Sequence, residues 1–151
     1  VALLAVDTGL RTGLALFNRE GRLAWYRSQH FGNRSALRRG AFGLLRSIDG
    51  LDLLVLEGGG PIAEVWRREA ERLGLVVRVI GAEVWRSALG AVGDRDRPKR
   101  AADALARRVI SWSGAPRPTS LRHDAAEAIL IGFWGVLDAG WLDQPPGEVL
   151  G

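Results

Sequence analysis

The chain has no cysteine and no methionine, and Lys99 is its only lysine. Without cysteine there is no thiol nucleophile, no disulfide and no cysteine-ligated zinc. Long apolar runs are also missing. The longest candidate, Ala125 to Leu137, falls short of the about 18 residues that a membrane-spanning helix requires, and it begins beside Asp124. The N-terminal residues carry neither a basic segment nor a small-residue cleavage pattern, so no signal peptide is expected.

What is present is an ordinary globular composition. The 151 residues are 47% hydrophobic and 25% charged, which suits one domain with its own core. Lys+Arg number 21 against 17 Asp+Glu, a formal charge of +4 with a pI near 10.8. All but one of the basic residues are arginines. A GC-rich coding bias accounts for most of that ratio. The net sign still points to a polyanionic partner, since the planar guanidinium binds phosphate as a fork.

Apolar runs and turn signals divide the chain into elements. Strands are expected at Ala2 to Val6, Gly13 to Phe17 and Arg22 to Phe31, with a hairpin turn at Asn18-Arg19-Glu20-Gly21. A helix is expected from Asn33 to Ile48, with Leu37, Phe42 and Leu45 on its apolar face. Asp52 to Glu57 reads as a strand buried on both faces, broken by Gly58-Gly59-Gly60-Pro61. Helices to about Leu73, from Glu83 to Leu89, from Pro98 to Trp112 and from Leu121 to Leu137 follow, with a strand at Leu75 to Ile80. The order predicts a single α/β domain over residues 1–151, with a hairpin leading a mixed, five-stranded sheet flanked by helices.

Four carboxylates fall where carboxylates are expensive. Asp7 and Glu57 each end an apolar strand, the place where open α/β sheets gather their sites. Asp124 and Glu127 are three residues apart, so they share a face of a helix that is apolar nearly all round. Burying them costs several kcal/mol unless they are paired or bind a cation. No Lys or Arg stands three or four residues from Glu127 in either direction. A divalent cation, or an arginine from elsewhere in the fold, would answer that need. An all-oxygen ligand set selects Mg²⁺ or Mn²⁺ over zinc, and two such ions support phosphodiester hydrolysis.

Leu4-Ala5-Val6-Asp7-Thr8-Gly9, Leu54-Val55-Leu56-Glu57 and His123-Asp124-Ala125-Ala126-Glu127-Ala128 together resemble the RuvC-type Holliday-junction resolvases of the RNase H-like superfamily. Trp85-Arg86-Ser87-Ala88-Leu89-Gly90 and Lys99-Arg100-Ala101 are similar to that family's stretch before its catalytic helix. The resemblance implies an RNase H-like fold in which Asp7, Glu57, Asp124 and Glu127 hold two Mg²⁺ or Mn²⁺ ions and cleave branched DNA. It also implies a homodimer in a bacterial or phage cytoplasm, associated with the nucleoid. Thr8 replaces the family's usual proline, Glu127 is one methylene longer than the usual aspartate, and glycines stand where the family carries an aromatic after its strand-four glutamate.

Lys99 is the side chain expected to reach the scissile phosphate, with Arg95, Arg97 and Arg100 as further substrate contacts on the loop and helix start around it. His123 lies one residue off the family's His register and is assigned to the substrate side of the site or to a place behind its ligands, with a plain helix-start residue as the alternative. Arg34, Arg38 and Arg39, and Arg67, Arg68 and Arg72, read as solvated helix faces. Trp134 reads as core, and packing is the default reading of Trp25, Trp66 and Trp85, with stacking on bases or covering a dimer interface as the alternative. Three other functions fit parts of the pattern. One is YqgF-like processing of ribosomal RNA. Another is an inactive nucleic-acid-binding module. The third is a lobe of an actin-like kinase, whose first phosphate loop Asp7-Thr8-Gly9 with Thr12-Gly13 resembles.

Overall fold

The computed structural model describes residues 1–90 and 98–150. Among them are strands β1 (Ala2–Asp7), β2 (Arg11–Asn18), β3 (Leu23–His30), β4 (Leu51–Glu57) and β5 (Val76–Ile80). The helices are α1 (Arg34–Ser47), α2 (Gly60–Arg72), α3 (Ala82–Leu89), α4 (Pro98–Ser113) and α5 (His123–Asp138). The strands form one sheet in the order β3-β2-β1-β4-β5. β2 runs antiparallel to both β1 and β3, while β1, β4 and β5 are parallel. This is the expected mixed five-stranded sheet, and the expected elements are all present with ends shifted by a residue or two.

Alternation along the strands sorts the core into two layers. Leu3, Ala5, Ala15, Phe17 and Val55 face one side, where they meet Leu105, Val109, Ile129 and Phe133 of α4 and α5. Leu4, Val6, Leu14, Leu54 and Leu56 face the other, against Leu37 and Ala41 of α1 and Trp66 of α2. α5 is covered on nearly every side, and Ala125 to Val136 are all buried. At Gly132 an added Cβ would come within 2.3 Å of the Phe17 ring, so the missing side chain lets α5 press onto the sheet.

Two local details position the later chemistry. The β1–β4 register slips by one between Ala2 and Leu3: Ala2 faces Leu51 and Leu3 faces Leu53, which leaves Asp52 without a rung. α1 starts at Asn33, whose Oδ1 accepts from the Ala36 amide at 2.8 Å, as the Gly32-Asn33 signal predicts. Phe42 departs from expectation. It is 49% exposed with the Arg46 guanidinium over its ring, because the helix needs only Leu37, Ala41 and Leu45 to cover the sheet.

Among the described residues no helix is long and apolar enough to cross a membrane.

Candidate metal centre

The layer assignment decides where the strand-end carboxylates point. Asp7 follows Leu3 and Ala5 at period two, and Glu57 follows Val55, so both project toward α5. The strands are parallel neighbours and Asp7 and Glu57 occupy the same rung. α5 crosses above them with Glu127 on its buried side, and Asp7, Glu57 and Glu127 each bring an oxygen within 4.8 Å of the others. Glu57 and Glu127 retain only 9% and 7% of their surface.

The ends of the two strands are tied together. Thr8 Oγ1 donates to the Glu57 carbonyl at 2.7 Å, and the Gly58 amide donates to the Ile80 carbonyl at 3.1 Å. Thr8 therefore supplies a hydrogen bond that a proline there could not make. On the other flank, an added Cβ at Gly13 would stand 1.9 Å from the Asp124 carbonyl oxygen. Gly13 pairs with Asp7 across the β1–β2 ladder, so this contact seats the start of α5 directly over the strand-end aspartate. Thr12 is fully buried and donates to the Gly9 carbonyl at 2.6 Å. Thr12-Gly13 thus serves helix packing, where a phosphate loop would leave its glycine backbone open to a ligand.

Crowding of like charges sets the electrostatics. Burial, then Glu127, Glu57 and Asp124, push the Asp7 carboxyl up to about 8, while Arg86 pulls the other way. Burial and then Glu127 raise Glu57 as well, opposed by the neighbouring Trp85 indole and by Arg86. Although they are neighbours, Glu57 Oε2 and Trp85 Nε1 are both buried without completing a hydrogen bond of good geometry. A buried carboxylate oxygen left unpartnered, beside two more carboxylates, is the donor set a hard divalent cation satisfies.

The expected site residues are distributed unevenly. Asp7, Glu57 and Glu127 come together. Asp124 stands outside that group, close enough to raise Asp7, with its Oδ2 accepting from Ser28 Oγ at 2.8 Å and its Oδ1 from the Ala125 amide at 2.8 Å. His123 opens α5, and its Nε2 lies 2.7 Å from Glu127 Oε1. Lys99 and Arg100 are exposed on the first turn of α4. Arg95 and Arg97 lie outside the described residues.

The arginine left open as a partner for Glu127 is present: Arg86 of α3 reaches its Oε1 with Nη2 at 3.1 Å. Helix spacing could not reveal it, because the partner comes from another helix, although Arg86 lies within the Trp85-Arg86-Ser87 segment singled out in the sequence. Trp66 and Trp85 are fully buried, as their default reading as packing residues had it, and neither is placed to stack on bases. Trp66 instead meets Phe31 edge-on at 6.3 Å.

A cleft of about 540 Å³ opens between α1 and α2, but Arg34, Arg38, Glu64, Arg68, Glu69 and Arg72 line it and none of the three carboxylates does. Much of its charge is internally matched, since Arg68 pairs with Glu64 and Arg72 with Glu69.

Comparison with solved structures places the chain beside T. thermophilus RuvC in complex with a Holliday junction substrate. The two share 15% identity over 93% of this chain and 96% of that one, with a TM-score of 0.65. The sheet with its flanking helices is an RNase H-like α/β fold, as the motifs implied. No family model and no curated protein matches the sequence.

Proposed function

We propose that this chain is a divalent-metal-dependent endonuclease that hydrolyses phosphodiester bonds in branched DNA, in the manner of a junction resolvase. The observation that carries the reading is the convergence of Asp7, Glu57 and Glu127 around the unpartnered oxygen of Glu57. These three residues would hold Mg²⁺ or Mn²⁺, with Asp124 beside them as a further ligand for a second ion. When bound, the metal supplies a Lewis acid and an activated water for in-line displacement at phosphorus. The protein's own part is to hold three carboxylates on rigid strand ends and a buried helix, so that the site is organised before substrate arrives. With Asp7 pushed up to about 8 in the metal-free protein, holding a cation there would displace a proton from it.

The solved neighbour was captured on a Holliday junction, which favours a four-way DNA substrate here. Lys99 and Arg100, exposed at the start of α4, together with Arg95 and Arg97, are assigned to the DNA backbone. Paired cleavage of a junction requires a second copy, so we assign the working form as a homodimer.

The test is incubation with a synthetic four-way junction, linear duplex and structured RNA, each with Mg²⁺, Mn²⁺ or EDTA. Metal-dependent cleavage of the junction in preference to duplex is expected. Preferential cleavage of RNA would move the assignment to RNA processing, and inertness toward all three would overturn the nuclease reading.

A further inference from the structure

Glu127 is held more tightly than its two partners in the cluster. Arg86 Nη2 and His123 Nε2 converge on the same oxygen, Oε1, at 3.1 and 2.7 Å. They arrive from different elements, since Arg86 belongs to α3 and His123 sits one helical turn before Glu127 on α5. Oε2 takes part in neither contact. The Arg86 guanidinium is itself steadied over the Trp85 ring, 5.1 Å from its centroid, and Trp85 is fully buried.

A glutamate side chain has one more rotatable bond than aspartate. A free Glu127 would lose more rotamer entropy on taking up a ligand geometry. Contacts from two elements on one oxygen restrict that freedom in advance.

We propose that Arg86 and His123 are positioning residues that clamp Glu127 by Oε1 and so hold its carboxylate in place for a divalent cation. The clamp rests on the metal-centre reading above. It accounts for a glutamate working where a shorter acid would otherwise suffice: the extra methylene lets the carboxylate reach both donors as well as the cluster.

The test is Mn²⁺ titration of the DNA-free protein, by calorimetry and by the electron-paramagnetic-resonance signal of free Mn²⁺, at fixed pH. Groups that orient a metal ligand contribute about 10–100-fold in affinity. Arg86→Ala and His123→Ala are each expected to weaken binding by about 10-fold or more, on that same scale. Arg86→Lys, which keeps a donor on a long stem, is expected to recover most of the loss. Asp at 127 cannot span the clamp, so adding Arg86→Ala to Glu127→Asp is expected to cost no more than Glu127→Asp alone. A purely structural role for Arg86 would give the same loss in both backgrounds and sinks the clamp. Unchanged or tighter binding by Arg86→Ala and Arg86→Gln also sinks it, because Arg86 would then be a bystander or a competitor of the cation. In either case wild-type binding stands and the metal centre survives. If the wild-type protein takes up no Mn²⁺, the metal centre and the clamp fail together.

Discussion

Thr8 Oγ1 donates to the main-chain carbonyl of Glu57, a hydrogen bond of 2.7 Å between the ends of adjacent parallel strands. It links the residue after one candidate ligand to the backbone of another. Thr8→Val keeps the shape and removes the donor, so a loss of about 0.5–1.5 kcal/mol is expected, read as a fall of a few degrees in Tm. Metal affinity should fall with it, because the strand ends are then free to splay. An unchanged Mn²⁺ titration would show that the sheet holds the rung unaided.

Asp7→Asn separates function from stability. Cleavage should drop by about 100-fold or more, given that a Lewis-acid metal contributes several kcal/mol and about 1.4 kcal/mol is tenfold. At neutral pH the metal-free variant should melt at a higher temperature than the wild type, since an amide needs no proton taken up on folding as the Asp7 carboxyl does. Equal junction cleavage by the two proteins would remove Asp7 from the site.

The pH dependence of stability follows from the same group. In the fold Asp7 is raised from 3.8 to about 8, so between those values the native state binds more protons than the unfolded chain. Its contribution is fully present below the unfolded value and is lost as pH rises through the native one. Glu57, also raised, acts in the same direction. Metal-free protein should therefore lose stability from about pH 4 to about pH 8, the window set by Asp7. Saturating Mg²⁺ should stabilise more strongly as pH rises. Denaturant unfolding at stepped pH, with and without Mg²⁺, measures both slopes.

Gly13→Ala places a methyl group 1.9 Å from the Asp124 carbonyl oxygen, a contact that forces α5 away from the sheet. Overpacking of this kind costs about 1–3 kcal/mol. The signature that distinguishes it from a general core defect is a disproportionate loss of Mn²⁺ affinity, compared with a core variant of similar Tm far from the cluster.

Trp66→Ala should cost about 3–5 kcal/mol, the range for a deleted buried aromatic. At a temperature where the variant is folded, the salt dependence of its DNA binding should match the wild type, because a fully buried ring contacts no nucleic acid.

The elements were legible because short apolar runs bounded by turn signals mark the strands and the helices carry ordinary start signals, Asn33 and Pro61 among them. The pairing of Asp7 with Glu57 was foreshadowed by their strand-end positions, and the burial of Glu127 by the apolar run around it. What the chain order conceals is contact between elements. Arg86 reaches Glu127 across 41 residues, a distance in sequence that no helical spacing encodes. His123, at four residues' spacing, was within view as a group behind the ligands or on the substrate side, without its contact to Glu127 being named. The tryptophans were ambiguous for a related reason. Nothing local to Trp66 or Trp85 says whether a helix turns it inward, and Phe42 shows the converse, an aromatic left outside because smaller residues already fill the interface.

The unpaired Asp52 has an outcome at the far end of its strand. If β4 had kept the count with which it starts, Leu51 beside Ala2, then Leu56 would stand next to Asp7 and Glu57 would turn into the opposite layer. One surplus residue shifts the phase of β4 by a single step and brings both acids onto the same face. The geometry of the carboxylates is thus decided about five residues away, at about 3.3 Å each, by a solvent-facing kink that touches none of them.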